Sequence, residues 1–221
     1  MQGLIEQTAL RYRRDAASIK LVAVSKGKTV EQIRALYEQG QRDFGESRVQ
    51  EVEAKRVELP SDIRWHLIGT LQLKKVPKVV GRFVLIHSVD SMELAQKLSK
   101  VSVERNVVTD VLLQVNISGE ATKHGFSKQE CQEAMACLSK LPGIRLLGLM
   151  TMAPQTEDDE LIRACFTATA TLCAELQQQY SLPNFCQLSM GMSQDFEIAI
   201  QSGATLLRIG PLIPAAPIPT A

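Results

Sequence analysis

The sequence predicts a single closed barrel of eight parallel strands surrounded by helices, a (β/α)8 TIM-type fold in the α/β class. Short β-rich runs alternate along the chain with longer amphipathic segments, which is typical of repeated βαβ units and a parallel sheet. Several runs are apolar throughout, as strands buried on both faces are. Eight such runs in 221 residues lie near the lower size limit of this fold. An open doubly wound sheet is the alternative.

Each predicted strand is a short apolar run in which β-branched residues are frequent. The first, KLVAVS, shows this most clearly, and the others follow at intervals that leave room for a crossover segment. In chain order the predicted strands cover residues 20–25, 42–44, 63–68, 83–88, 109–116, 143–151, 185–190 and 204–209.

Capping residues indicate where several helices begin. Thr29 and Asp90 precede two of the amphipathic segments, and Ser127 with Glu130 forms a capping-box pattern before a third. No helical segment follows the eighth strand, so we expect an extra N-terminal helix to cover that gap in the outer ring. The predicted helices cover residues 1–17, 30–39, 47–59, 90–104, 128–140, 157–179 and 194–202.

Composition excludes several classes of function. The net charge of +1 argues against a nucleic-acid partner. Five cysteines with no C-x-x-C pair argue against a zinc site or a disulfide framework, and free thiols fit the cytoplasm. The N-terminus lacks the apolar core of a signal peptide, and no apolar run is long enough to span a membrane.

Four polar residues mark the face where such barrels carry their sites, the carboxyl ends of the strands. Lys26 follows the first strand, His66 ends the third, Ser189 closes the seventh and Arg208 closes the eighth. Because strands eight and one are neighbours in a closed barrel, we expect Lys26 and Arg208 to lie side by side. Taken singly, each has an ordinary structural explanation: a solvated strand end, a buried histidine, a turn cap, an ion-paired arginine.

Together these residues indicate a Schiff-base site. Barrels often bind phosphate in the loops after strands seven and eight, here 189–193 and 210–214, and Gly191 allows close backbone approach. Burial and a neighbouring cation favour a neutral lysine amine, which Schiff-base formation requires. The cofactor that joins an aldehyde to a phosphate in this way is pyridoxal 5'-phosphate (PLP). An aldolase-type site that uses Lys26 without a cofactor is an alternative.

At these residues the chain resembles the pyridoxal phosphate homeostasis proteins, also called the YggS or proline-synthase co-transcribed group. The barrel of that family is like the N-terminal domain of alanine racemase. The resemblance extends over almost the whole chain. Its segments are LVAVSKGKT (21–29), FGESRVQE (44–51), WHLIGTLQLKK (65–75), HGFS (124–127), GLMTMAP (148–154), LSMGMSQDFEIAI (188–200) and GATLLRIG (203–210).

The resemblance implies roles for the matching residues. Lys26 takes the place of the Schiff-base lysine, and Arg208 that of the arginine facing the pyridine nitrogen. The other implied positions are Ser189, Gly191 and Gly210 for the phosphate cradle and His66 and Met150 for the pocket wall.

Three positions depart from the family pattern. Ser47 stands in place of the asparagine of FGEN, next to the cofactor position, and Lys74 replaces the asparagine of LQ-x-NK. Pro211 follows RIG and has no N–H to offer a phosphate. We therefore predict a PLP-binding barrel over residues 1–210 and an irregular proline-rich tail over residues 211–221.

The resemblance implies a carrier or regulator of intracellular PLP that affects amino-acid and keto-acid balance. Arginine only donates hydrogen bonds, so it faces an unprotonated ring nitrogen, which weakens the ring as an electron sink. The tyrosine base of alanine racemase comes from a separate C-terminal domain, whereas Tyr12, Tyr37 and Tyr180 lie in or at the end of predicted outer helices. We expect a monomer that holds PLP without turnover and that meets PLP-dependent apo-enzymes or a regulatory protein. A small amino-acid racemase is the alternative.

Overall fold

The barrel is built from short strands in sequence order. The computed structural model describes residues 1–120 and 123–210. The strands are β1 Lys20–Val24, β2 Asp43–Glu46, β3 Arg64–Leu67, β4 Leu85–Val89, β5 Thr109–Gln114, β6 Ile144–Met150, β7 Gln187–Ser189 and β8 Leu206–Ile209. Each strand pairs in parallel with the next, and β8 pairs with β1. The predicted fold class is confirmed, and the open-sheet alternative is wrong. The predicted tail lies outside the described residues.

The helices form the outer ring, and one of them was not predicted. They are α1 Gln2–Arg11, α2 Val30–Glu38, α3 Val49–Arg56, α4 Val76–Val79, α5 Met92–Glu104, α6 Lys128–Leu138, α7 Asp159–Gln179 and α8 Phe196–Gln201. The unpredicted one is α4, which holds a proline in its first turn, where a missing N–H is tolerated. Among the described residues, none of the helices has both the length and the apolar character needed to cross a membrane.

The first helix is shorter than the sequence predicts. It ends at Arg11, and Arg13 adopts a left-handed conformation with a φ of 55°. The amide of Arg13 donates to the carbonyl of Leu10, and that of Arg14 donates to the carbonyl of Ala9, 2.8 Å away. These two hydrogen bonds satisfy the last carbonyls of the helix. Glycine usually marks such a stop, so an arginine there hides it from sequence analysis.

The predicted caps are correct at two helices and wrong at one. Thr29 and Ser127 both form complete capping boxes, with Gln32 and Glu130 as their partners. At α5 the cap is Ser91, which accepts a hydrogen bond from the amide of Leu94, rather than Asp90. The cap of α5 therefore lies one residue later than predicted, because β4 continues to Val89.

The N-terminal helix takes its expected place in the outer ring. Ile5 and Ala9 of α1 are fully buried, and α1 packs against α8, the helix that leads into β8. The guanidinium of Arg14 donates to the carbonyl of Ile200, 3.0 Å away, and thereby ties the end of α1 to α8.

Two apolar layers surround and fill the barrel. The larger one lies between strands and helices and contains residues such as Phe44, Trp65 and Phe166. The smaller layer has one residue from each of five strands. Because these side chains form a cluster that is separate from the helix-facing layer, they lie in the lumen. Its members are Val22, Leu85, Leu112, Met150 and Leu206.

We predict that Gly148→Ala strongly destabilises the barrel. Gly148 has a φ of 148°, and a Cβ there would lie 1.9 Å from the carbonyl oxygen of Gln187 on the paired strand. Since a backbone atom of the neighbouring strand cannot move aside, the free energy of unfolding should fall by about 2 kcal/mol or more in urea denaturation followed by circular dichroism.

The matched control is Gly3→Ala. Gly3 lies in α1 with open space around its Cβ position, so alanine should leave stability unchanged or raise it by up to about 1 kcal/mol. Equal unfolding curves for the two variants would contradict the close approach of β6 and β7 at Gly148.

Candidate cofactor site

The eight predicted site residues all lie in the carboxyl-terminal part of the barrel. Each is within a strand or at most two residues beyond its end. They form two groups that differ in burial. The buried group comprises His66, Met150, Ser189, Gly191 and Arg208, and the rim group of exposed or half-buried residues comprises Lys26, Ser47 and Gly210.

The expected side-by-side placement of Lys26 and Arg208 is wrong. Their strands, β1 and β8, are neighbours, but the two residues lie at different heights in the barrel. Arg208 aligns with Val22, and Lys26 lies four residues further along, beyond the end of β1. Since β1 ends at Val24 and Lys26 lies in the turn that follows, Lys26 is at the rim and Arg208 is below it in the lumen. Lys26 is exposed, so the expected burial of its amine is also wrong.

The guanidinium of Arg208 is a buried cation held by neutral acceptors. Its Nη1 donates to Ser189 Oγ at 2.6 Å and its Nη2 donates to the carbonyl oxygen of Thr151 at 2.9 Å. Burial lowers the pKa of Arg208 to about 10, and the charge of Asp195 acts in the opposite direction. The group therefore remains a cation near neutral pH.

A row of polar side chains continues from Arg208 across the lumen. Ser189 Oγ lies 2.7 Å from His87 Nδ1, and His87 Nε2 lies 2.9 Å from His66 Nδ1. His66 Nε2 in turn lies 2.9 Å from Asp43 Oδ1. The predicted site residues His66 and Ser189 are thus linked through His87, which the sequence analysis did not select. Within the described residues, no group of three or more His, Cys, Asp or Glu side chains is placed to hold a metal ion.

The predicted phosphate loop has a tightly packed backbone. Gly191 has a φ of 97°, and a Cβ there would lie 2.6 Å from the Cβ of Ala199, so only glycine fits without strain. In the same loop the amide of Met192 donates to the carboxylate of Asp195. A Cβ at Gly210 would meet only Val24, at an ordinary 3.9 Å, so packing in the described residues does not require glycine there.

The loop that carries Lys26 is held from below by a buried ion pair. The ammonium group of Lys55 in α3 donates to Glu46 Oε1 at 2.6 Å and to the carbonyl of Ser25 at 2.9 Å. Ser25 Oγ donates to the same carboxylate oxygen, and the amide of Gly27 donates to Glu51. Lys26 is thus flanked on both sides by residues that are bonded to β2 and α3.

The comparisons with known proteins identify the family of this chain. Residues 5–213 match the model of the alanine racemase N-terminal domain family. The chain belongs to this family. A protein of Aquifex aeolicus named pyridoxal phosphate homeostasis protein is 42% identical over 212 residues, which are 95% of this chain and 92% of the relative. A protein of the same name from Synechocystis is 39% identical and covers 89% of this chain and 90% of its own length.

A solved family structure carries the cofactor. PipY of Synechococcus elongatus, crystallised with PLP bound, is 39% identical to this chain. The two superpose with a TM-score of 0.83, over 93% of this chain and 97% of PipY.

Several residues of the site had not been selected from the sequence. Asp43 and His87 lie in runs that were already assigned as strands, and alternation along those strands places them on the same face as Gly45 and Leu85. For His87 the available signal was a histidine inside an otherwise apolar run, whereas Asp43 follows Arg42 in a run of three residues and did not stand out. Glu46 and Lys55 gave no such signal, because Lys55 lies in a helix with many charged residues.

Lys74, one of the departures from the family pattern, is exposed in a short 3-10 turn before α4, away from the lumen residues. Pro211, the third departure, lies outside the described residues.

We predict that Lys55→Met destabilises the chain by about 3–5 kcal/mol, because it leaves a buried carboxylate without its cation. Glu46 is fully buried, and its Oε2 already lacks a hydrogen-bond partner among the described residues. Burial raises the pKa of Glu46, while the hydrogen bonds from Lys55 and Ser25 lower it. Urea denaturation at neutral pH measures the loss.

The double variant Lys55→Met with Glu46→Leu is the control. It removes both charges, so most of the lost stability should return. A double variant that is less stable than Lys55→Met would show that the carboxylate itself, and not its missing partner, is the group that matters.

Proposed function

We propose that this chain binds PLP at the mouth of the barrel as a Schiff base on Lys26, and that it serves intracellular PLP homeostasis. The observation that carries this proposal is the buried Arg208 guanidinium below the rim, on the strand that pairs with the one leading to Lys26. When bound, PLP would supply an aldehyde that exchanges between amines.

The pyridine end of PLP fits the residues present. The two hydrogen bonds of the Arg208 guanidinium described here use Nη1 and Nη2, and both acceptors are uncharged. No carboxylate in the described part of the chain contacts this guanidinium, and such a buried cation suits an acceptor such as a ring nitrogen. Lys26 lies four residues beyond the position aligned with Arg208, and we propose that the two long side chains and the ring together span this offset.

The phosphate end is supported by the position of the loops after β7 and β8. Gly191, Ser193 and Gly210 lie there, at the same end of the barrel as Lys26. Ser189 points into the lumen instead, where its hydroxyl contacts His87 and Arg208. We therefore assign the phosphate to the loops, and Ser189 to the support of Arg208. His66, Met150 and Ser47 complete the proposed pocket from below and from the side.

We propose that the chain holds and hands over PLP rather than turning over a substrate. An arginine at the ring nitrogen keeps that atom unprotonated, which disfavours reactions that need a strong electron sink. The three tyrosines lie at the ends of α1, α2 and α7, and helices in such a barrel run opposite to the strands. Tyr12, Tyr37 and Tyr180 are thus at the far end from Lys26.

An exposed Lys26 also supports exchange with other proteins in the cytoplasm, such as apo-enzymes that require PLP or a regulatory protein. The relatives named above are called homeostasis proteins, which agrees with a carrier role. We propose that the chain acts as a monomer.

We predict that the purified protein takes up PLP with a visible absorption band that Lys26→Ala abolishes. Lys28→Ala, two residues further along the same loop, is the matched control and should retain the band. Borohydride reduction followed by peptide mass spectrometry should place the pyridoxyl group on Lys26. A sugar-derived adduct, or a wild-type protein that takes up no PLP, would contradict the proposed function.

We predict negligible racemisation. Incubation of the PLP-loaded protein with L- or D-amino acids in deuterated water should not convert one enantiomer into the other, because inversion needs a second acid/base group on the far face of the substrate and we expect none there. Inversion with uptake of deuterium at the α-carbon, lost in Lys26→Ala, would favour the racemase-like alternative.

A further inference from the structure

Five buried side chains from five strands form one continuous hydrogen-bonded chain through the lumen. In order they are Arg208 of β8, Ser189 of β7, His87 of β4, His66 of β3 and Asp43 of β2. The four contacts that join them measure 2.6, 2.7, 2.9 and 2.9 Å. Every member is at most 5% exposed, so solvent cannot replace any of these bonds.

The two ends of this lumen chain determine the direction of every proton in it. Arginine can only donate, so Ser189 Oγ accepts from Arg208. At the other end Asp43 is an ionised acceptor: burial raises its pKa, but hydrogen bonds from Arg64 and His66 lower it well below its ordinary value. His66 therefore carries its proton on Nε2, facing Asp43.

The histidines between the ends then follow. Burial lowers the pKa of both His66 and His87, so each is neutral and carries one ring proton. With the proton of His66 on Nε2, its Nδ1 must accept from His87 Nε2. His87 Nδ1 must then accept from the Ser189 hydroxyl. All donors consequently point from Arg208 towards Asp43.

This arrangement solves a specific problem of the buried cation. A carboxylate in direct contact would form a bidentate pair with the guanidinium and occupy the donors that a ligand needs. Here the three neutral side chains of the lumen chain separate the carboxylate of Asp43 from the guanidinium. Their aligned dipoles polarise one another. Arg64 and Lys20 hold Asp43 from the opposite end of the barrel, and Asp195 is the carboxylate whose charge raises the pKa of Arg208.

We propose that Asp43, His66, His87 and Ser189 are positioning residues for Arg208, which hold its guanidinium in one orientation through a lumen chain whose protons all point towards Asp43. The inference rests on the proposed function, in that the aligned Arg208 would serve the ring nitrogen of PLP.

Asp43→Asn tests the inference, because it should reverse the direction of the hydrogen-bond donors in the lumen chain. The amide keeps the shape of the carboxylate but can donate to His66 Nε2, which would move the proton of each histidine to Nδ1. Histidine 15N NMR of the ligand-free protein reports these tautomers. We expect Nε2–H on His66 and His87 in the wild type and a shift towards Nδ1–H in Asp43→Asn. In the PLP-loaded variant we expect a shifted absorption band and PLP affinity lower by roughly tenfold, the loss expected from one weakened charge-assisted hydrogen bond.

Asp110→Asn is the matched control. Asp110 also lies near the start of its strand and binds an arginine of the next strand, Arg145, through two hydrogen bonds of 2.7 and 2.8 Å. It is outside the lumen chain, so its variant should leave the tautomers, the band and the affinity unchanged.

A second pair of variants separates positioning from packing and does not depend on Asp43. His87→Leu fills the space but offers Ser189 no acceptor, whereas His87→Asn leaves a small gap but offers an oxygen near the former Nδ1. The inference expects PLP affinity to fall roughly tenfold in His87→Leu and to be largely restored in His87→Asn. If His87 acted only through packing, PLP affinity would fall more in His87→Asn than in His87→Leu.

The outcomes separate the inference from the proposed function. Nδ1–H tautomers in the wild type, or an Asp43→Asn or His87→Leu protein that binds PLP with unchanged affinity and band, would overturn the inference alone. A wild-type protein that takes up no PLP would overturn the proposed function and remove the ligand from the inference.

Discussion

The pairing of β8 with β1 closes the sheet, and the candidate site exists only because of that closure. Arg208 is aligned with Val22 across this seam, and Ser189 is aligned with Leu206 on its other side. Closure therefore brings residues from the end of the chain against the strand that carries Lys26. In a sheet that is open at this seam, Arg208 would lose its alignment with the strand that leads to Lys26, and its guanidinium would have no lumen to face.

Burial of a cation is the main energetic constraint inside this lumen. An unpaired buried charge is very costly, so the guanidinium requires acceptors. The barrel meets this requirement with a hydroxyl and a backbone carbonyl, and the charge of Asp195 also acts on the guanidinium. The carboxylate of Asp43 lies at the far end of a row of neutral groups. The polar row runs beside an apolar lumen cluster, which excludes water and keeps these bonds strong.

The loop at the rim that carries Lys26 is positioned by a different set of contacts. The segment before Lys26 is bonded to Gly45 of β2 and to Lys55 of α3, so the position of an exposed side chain is controlled by buried groups beneath it. A fixed loop with an exposed amine combines accuracy of placement with access from solvent. That combination suits the role proposed above for Lys26, which is to form and release a Schiff base.

The sequence by itself determined the barrel, seven of the eight α-helices in residues 1–120 and 123–210, and the strand ends where the candidate site lies. It could do so because strand burial, capping residues and the alternation of elements are local patterns, and because the motifs around Lys26, Ser189 and Arg208 are distinctive. It did not determine that Lys26 is exposed above Arg208 rather than beside it, since the register between β1 and β8 is a property of closure. It also missed His87 and Asp43 as members of the site. Their role depends on which side chains meet across the lumen, and residues 43, 66, 87, 189 and 208 are brought together only by the tertiary structure.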